Sequence, residues 1–205
     1  MLENLYWLGH ASFRIVGPPT VYVDPWKLAA GAPKADLVLI THDHHDHFSP
    51  DDVAKIATPE TSFVAPASVA NKLTGDVHIV RPGDVLTVQG VAIRAVPAYN
   101  LTKQFHPKSA GHVGYVVEIG GRTIYVAGDT DHIPEMATLR VDIALLPVGG
   151  RYTMTADEAA EAANAMRPRW AVPTHYGSVV GGPSDAERFK RLCRVPVEIL
   201  SVTVP

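Results

Sequence analysis

Apolar residues along the chain fall in short runs broken by Gly, Pro, Asn or Asp, which is the signature of a strand-rich fold. Residues 5–8, 12–16 and 20–24 read as three strands, parted by Gly9-His10 and Gly17-Pro18-Pro19 and close enough to form an antiparallel meander. Residues 37–41 read as a buried strand, because Leu37-Val38-Leu39-Ile40 shows no polar alternation. Ser49-Pro50-Asp51-Asp52 is a helix start, with Ser at the N-cap, Pro at N1 and acids in the first turn, opening a helix over 53–57. A strand at 62–65, a short helix at 66–72 stopped by Gly75, and a strand at 77–80 follow. Residues 85–88 and 91–96 predict a hairpin across Gln89-Gly90, and 113–119 with 123–127 a second one turning at Gly120-Gly121. Between them lies a long polar loop, 99–111, of a length that is more often functional than idle.

The second half alternates strand and helix. A strand at 142–147 precedes the capping box Thr155-Ala156-Asp157-Glu158, which opens an alanine-rich helix ending before Pro168. A strand at 170–174, a second capping box at Ser184-Asp185-Ala186-Glu187 with a helix to about 194, and a strand at 197–202 complete the chain. This order predicts an α/β fold of two mixed sheets packed face to face, with helices outside and ligand sites where strands end at one edge.

Composition narrows the picture only in places. A chain of 205 residues, 46% hydrophobic, has core enough for one globular domain or two tightly fused halves. A net charge of −3 provides no footprint for nucleic acid or an anionic membrane. The single cysteine, Cys193, excludes an internal disulfide and a thiolate zinc cluster, and reads as a small core residue. With no secretory signal and no apolar run near membrane-spanning length, the expectation is a cytoplasmic protein with no membrane partner. Oligomeric state is open, with a homo-oligomer allowed.

Chemistry concentrates in His42-Asp43-His44-His45-Asp46-His47, joined directly to the end of the 37–41 strand. Unpaired imidazoles and carboxylates cost several kcal/mol to bury, and a metal ion is the partner that suits them. Imidazole and carboxylate are ligands for zinc, manganese or iron. The bland alternative is a surface polyhistidine tract; the His-x-His-x-Asp-His spacing and its junction with a strand argue against it. Four more strands end on a residue able to ligate: His10, Asn100, Asp129 after Gly128, and His175.

Thr41-His42-Asp43-His44-His45-Asp46-His47, Ala127-Gly128-Asp129-Thr130-Asp131 and Pro173-Thr174-His175-Tyr176 together resemble the metallo-β-lactamase-fold hydrolase superfamily. Leu8-Gly9-His10-Ala11-Ser12-Phe13 and Leu146-Pro147-Val148-Gly149-Gly150 look like its small single-domain metal-dependent hydrolases. The resemblance spans nearly the whole chain, and implies one hydrolase domain over residues 1–205, a four-layer αβ/βα sandwich with a dinuclear site at one edge. It implies His42 and His44 on a first metal, Asp46, His47 and His175 on a second, and Asp129 bridging two divalent ions, with zinc preferred over manganese or iron. A hydroxide on those metals would attack a small ester, lactone or phosphoester. Asp46 and His106 are the residues on which catalysis is expected to turn, with His106, Tyr99 and Tyr176 candidates to protonate the leaving group. His10 is expected to hydrogen-bond near the cleft rather than to ligate.

One position departs from the resemblance. A third histidine for the first metal would stand at the end of the 91–98 strand, where this chain has Tyr99 and Asn100; Asn100, His106 and His112 are the candidates to replace it. Two other readings have different consequences. A nucleic-acid phosphodiesterase of the same fold would need a phosphate-binding stripe, and the acidic balance argues against it. A protein that binds metal or ligand without turnover would follow if the altered ligand position left the first site empty. The expected partner is a small-molecule substrate.

Overall fold

The computed structural model describes residues 2–203. In the first six-stranded sheet the strands lie in chain order, β1 (Leu5–Gly9), β2 (Ser12–Ile15), β3 (Val21–Val23), β4 (Leu37–Leu39), β5 (Ser62–Pro66) and β6 (Asp76–Val80). β1 to β3 form the antiparallel meander, and β3 to β6 run parallel. The parallel steps follow from the crossovers, two of which carry α1 (Pro50–Ile56) and α2 (Ala67–Ala70). The second sheet has the order β12-β11-β10-β9-β8-β7. Here β7 (Val85–Val88), β8 (Val91–Pro97), β9 (Val113–Ile119) and β10 (Arg122–Val126) pair antiparallel; β11 (Ile143–Pro147) and β12 (Trp170–Thr174) add in parallel.

Alternation along the strands sets the layers. Val23, Leu37, Leu39 and Val64 join the core shared with the second sheet, while Tyr22, Val38, Ile40 and Phe63 turn the other way, onto Val53 and Ile56 of α1 and Val69 of α2. Complete burial of a side chain the size of Val53 or Ile56 is worth about 1.5–3 kcal/mol, so α1 is held by its packing more than by its two turns. Ser49 caps it as expected, accepting from the Asp52 N–H. On the far side, α3 (Ala156–Met166) lies against β11 and α4 (Pro183–Leu192) against β12 and α3. The Tyr115 hydroxyl joins the two sheets, donating to the Ile40 carbonyl at 2.7 Å. The result is the expected sandwich of two mixed sheets with helices outside.

Three local expectations are corrected. The strand expected at 37–41 stops at Leu39, because the Thr41 N–H turns to the Asp24 carboxylate and its carbonyl accepts from Val113 of the other sheet. Residues 197–202 form no strand: the segment crosses from one sheet to the other and makes single bridges, Ala171 to Val197 and Trp7 to Val202. The second capping box lies elsewhere. Pro183 occupies N1 of α4, Gly182 becomes the N-cap, and its N–H is taken by Asp185 rather than by the Ser184–Glu187 pair. Among the described residues no helix is long and apolar enough to cross a membrane.

Candidate metal centre

The strand ends of both sheets meet at one edge. After Thr41 the chain makes a tight turn in which the His44 carbonyl accepts from the N–H groups of His47 and Phe48. That turn sends His42, His44, Asp46 and His47 towards the second sheet. Asp43 instead pairs with Lys72 at 2.9 Å, and the His45 side chain is 79% exposed. Asp129 comes in after Gly128, whose φ is +64° and whose absent Cβ would lie 3.0 Å from the Val113 carbonyl oxygen. His175 follows β12, and its N–H donates to the carbonyl of His10, which follows β1. His10, Asp24, Lys27 and His175 are four of the six non-glycine residues with positive φ among those described. Left-handed backbone costs such residues about 1–2 kcal/mol each. Its concentration here marks an edge whose geometry is imposed by the surrounding fold.

The side chains fall into two groups around one carboxylate. His42, His44 and His106 form one set; Asp46, His47 and His175, with His10, form the other, and within each the ligand atoms lie inside 4.8 Å. Asp129 Oδ2 faces the first set, 3.3 Å from His106 Nε2 and 4.0 Å from His42 Nε2. Asp129 Oδ1 faces the second, 3.1 Å from both His47 Nε2 and His175 Nε2. Those three atoms are buried and make no hydrogen bond despite their separation. Buried lone pairs converging on a shared point, with no hydrogen-bond geometry between them, are what a cation requires, and the donor types are those of a divalent metal. The residues present therefore fit a metal ion.

Electrostatics agree. Burial, reinforced by the neighbouring His47, holds the His42 pKa well below the ordinary imidazole value, leaving a neutral ring with a lone pair to give. Burial would raise Asp129, but the charges of His175 and His47 override it and keep its pKa well below the carboxylate range. Burial would likewise depress His47, yet Asp129 and Asp24 on either side push its pKa well above the usual value. The positive charge those carboxylates call for is what a bound cation supplies. Asp46, though buried, is held ionised by the hydrogen bond from His10 Nε2 at 3.0 Å and by His47.

Asp24 is the residue that reading the sequence missed. Its Oδ2 accepts from His47 Nδ1 at 2.7 Å and from the Thr41 hydroxyl, and its Oδ1 from the Thr41 N–H. This fixes the His47 tautomer with Nε2 free for a ligand. In the sequence an aspartate after a strand and before a proline looks like a turn residue; only the fold places it behind a histidine.

The long loop folds His106 back into the first set, beside His42 and His44 and 3.3 Å from Asp129 Oδ2. The Asn100 amide oxygen accepts from the His106 N–H at 3.0 Å. Its amide nitrogen donates to Asp131 and to the Tyr152 carbonyl, and Asp131 also accepts from the Leu101 N–H and the Lys103 ammonium. Asn100 and Asp131 thus fasten the loop that carries His106. His112 lies behind His106, Nδ1 to Nδ1 at 3.3 Å, and burial beside His106 and His44 takes its pKa down to about 4. Tyr99 and Tyr176 do not reach the centre. The Tyr99 hydroxyl donates to Glu135 at 3.1 Å, and the Tyr176 ring stacks on Trp7 at 4.9 Å. The tyrosine at the mouth is Tyr152, edge to face with Phe105 at 4.6 Å. With Val179 these two rings flank a cavity of about 140 Å³ floored by His44, Asp46, His106 and Asp129.

Comparison with known proteins gives this geometry its context. A family model described as a beta-lactamase superfamily domain matches residues 4–175. A UPF0173 metal-dependent hydrolase of Thermococcus onnurineus is 37% identical over 216 residues, spanning 97% of this chain and 96% of its own. Its counterpart in Thermoplasma acidophilum is 35% identical over 209 residues, 93% of this chain and 92% of its own. The crystal structure of a Parabacteroides distasonis protein, described as a metal-dependent hydrolase, superposes with a TM-score of 0.86 at 32% identity, over 97% of this chain and 93% of that one. A family model over most of the chain and relatives aligned over nearly their full length place this protein in the metallo-β-lactamase superfamily, among the UPF0173 metal-dependent hydrolases.

Proposed function

We propose that the protein holds two divalent metal ions and hydrolyses a small ester, lactone or phosphoester. The observation that carries this reading is the division of Asp129, one carboxylate oxygen towards His42 and His106 and the other towards His47 and His175. Such ions, zinc first and manganese or iron as alternatives, would acidify a bound water and polarise the oxygen of the scissile bond. The chain's own residues prepare for that chemistry. Asp24 and His10 orient His47 and Asp46 by accepting from or donating to them. Asn100 and Asp131 hold His106 in place through the loop. Phe105, Tyr152 and Val179 narrow the approach, which suits a small molecule rather than a polymer.

Metal analysis joined to a hydrolysis panel tests the reading. Purified protein is expected to carry close to two ions per chain, and to cleave at least one class of the panel. Turnover should vanish with a chelator and return when zinc or manganese is added back. Chelator-insensitive turnover, or full activity with a single ion per chain, would overturn it. A second prediction concerns the support behind the ligands. Asp24→Asn, which replaces a carboxylate by an amide behind His47, is expected to weaken metal binding by about 10–100-fold in a competition titration against a chromogenic chelator. Unchanged affinity would mean that Asp24 only serves Thr41.

A further inference from the structure

A second cavity has His10 in its wall and shares no lining residue with the cavity at Phe105 and Tyr152. It measures about 540 Å³, and its walls include Trp7, Trp26 and Tyr176, with Lys27 and Ser178. Trp7 and Tyr176 stack on each other, and Trp26 tilts against the His10 ring at 5.4 Å. Lys27 is an exposed residue on that wall. Its φ of +56° is held by Asp52, which accepts from the Lys27 N–H at 2.7 Å and from the Leu28 N–H at 3.0 Å and is itself paired with Lys55. The ammonium sits 4.1 Å from the centre of the Trp26 ring and 3.4 Å from Ser178 Oγ. Among the described residues no carboxylate pairs with it. His10 contributes to the same wall, and its Nδ1 is buried without a partner while Nε2 engages Asp46.

A strained residue that presents a cation without an acidic partner, beside three aromatic rings, suits a ligand whose charge is negative and whose body is apolar. We propose that this cavity binds a small molecule that joins an aromatic or branched apolar body, held among Trp7, Trp26 and Tyr176, to a carboxylate that pairs with Lys27 and Ser178. Taken with the proposed hydrolysis, on which this clause alone rests, the site receives the uncleaved arm of the substrate. The two cavities are neighbours through the His10–Asp46 hydrogen bond and through consecutive residues, Ser178 on one and Val179 on the other.

Two of the three tryptophans line the cavity, so their emission reports on it directly. The test is a titration with 3-phenylpropanoate, 3-phenylpropanamide and 3-phenylpropylamine, followed by tryptophan fluorescence and calorimetry. Metal-loaded protein, chelator-treated protein and the Lys27→Gln variant are compared. The carboxylate is expected to bind about tenfold more tightly than the amide, as a charge-assisted bond allows, and the amine not at all. The preference should persist after chelation and disappear in Lys27→Gln. Binding lost on chelation but retained in Lys27→Gln would place the carboxylate on the metals and overturn the proposal, as would equal affinity for acid and amide. Lys27-dependent binding by a protein that cleaves nothing in the hydrolysis panel would uphold this site and overturn the hydrolytic reading instead.

Discussion

In an Asp129→Ala variant, kcat/KM is expected to fall by ~10³-fold or more, equivalent to about 4 kcal/mol of transition-state stabilisation. The size follows from position. Asp129 is 3% exposed, and both of its oxygens face imidazole nitrogens of different strand ends. No other carboxylate in the cluster does this: Asp46 lies with the His47 and His175 set alone. Removing Asp129 therefore takes a carboxylate oxygen from both sets and leaves His47 with Asp24 behind it and Asp46 at 4.0 Å. Metal content and melting temperature provide readouts independent of turnover. An ion that binds only the folded chain stabilises it by RT ln(1 + [L]/Kd), so the wild-type melting temperature should rise when metal is added. That rise should be absent in Asp129→Ala. Asp129→Asn keeps the shape but offers one neutral oxygen, and is expected to keep no more than one ion per chain. Wild-type metal content in either variant would defeat the bridging role.

How much of this was legible beforehand depends on whether a feature is local. The sandwich was legible because each strand and crossover announces itself over a few residues, as in Leu37-Val38-Leu39-Ile40 or the capping box at Thr155. The ligand candidates on strand ends were legible for the same reason: His42, Asp129 and His175 each follow an apolar run. Their division into two sets was not. It came only from the resemblance, since residues 42 and 175 carry no local sign of which neighbour they will face. Asp24 was unreadable because its partner, His47, sits 23 residues on, across a crossover. The path of the 99–111 loop was equally hidden. It depends on Asn100 and Asp131 finding each other across 31 positions, and on the Asn100 amide oxygen accepting from the His106 N–H. The segment at 197–202 shows the converse failure: its local pattern is that of a strand, but its path from one sheet to the other allows one bridge at each end.

A large loss of stability is expected on changing a residue with no chemistry, Gly114 in β9. A Cβ there would lie 2.6 Å from the Val126 carbonyl oxygen and 2.7 Å from that of Ala127. Both are backbone atoms, so no side chain can rotate away, and the strands themselves must part. Overpacking of this kind costs typically about 1–3 kcal/mol, and Gly114→Ala is expected at the upper end, measured as a lower denaturation midpoint at unchanged m value. Gly31→Ala is the control: its Cβ meets nothing within 4 Å and its φ is not in the left-handed region, so its midpoint should stay or rise slightly. The displacement should also reach the metal centre. Val126 and Ala127 lead through Gly128 directly to Asp129, and Gly128 is itself tight against Val113 and Thr41. A shift of β10 away from β9 therefore moves the carboxylate that both donor sets share. Gly114→Ala should lose metal affinity along with stability, whereas a substitution that merely loosened the core far from this edge would lose stability alone. If Gly114→Ala denatures at the same midpoint as Gly31→Ala and binds metal as the wild type does, the close approach of β9 to the end of β10 is not what positions Asp129.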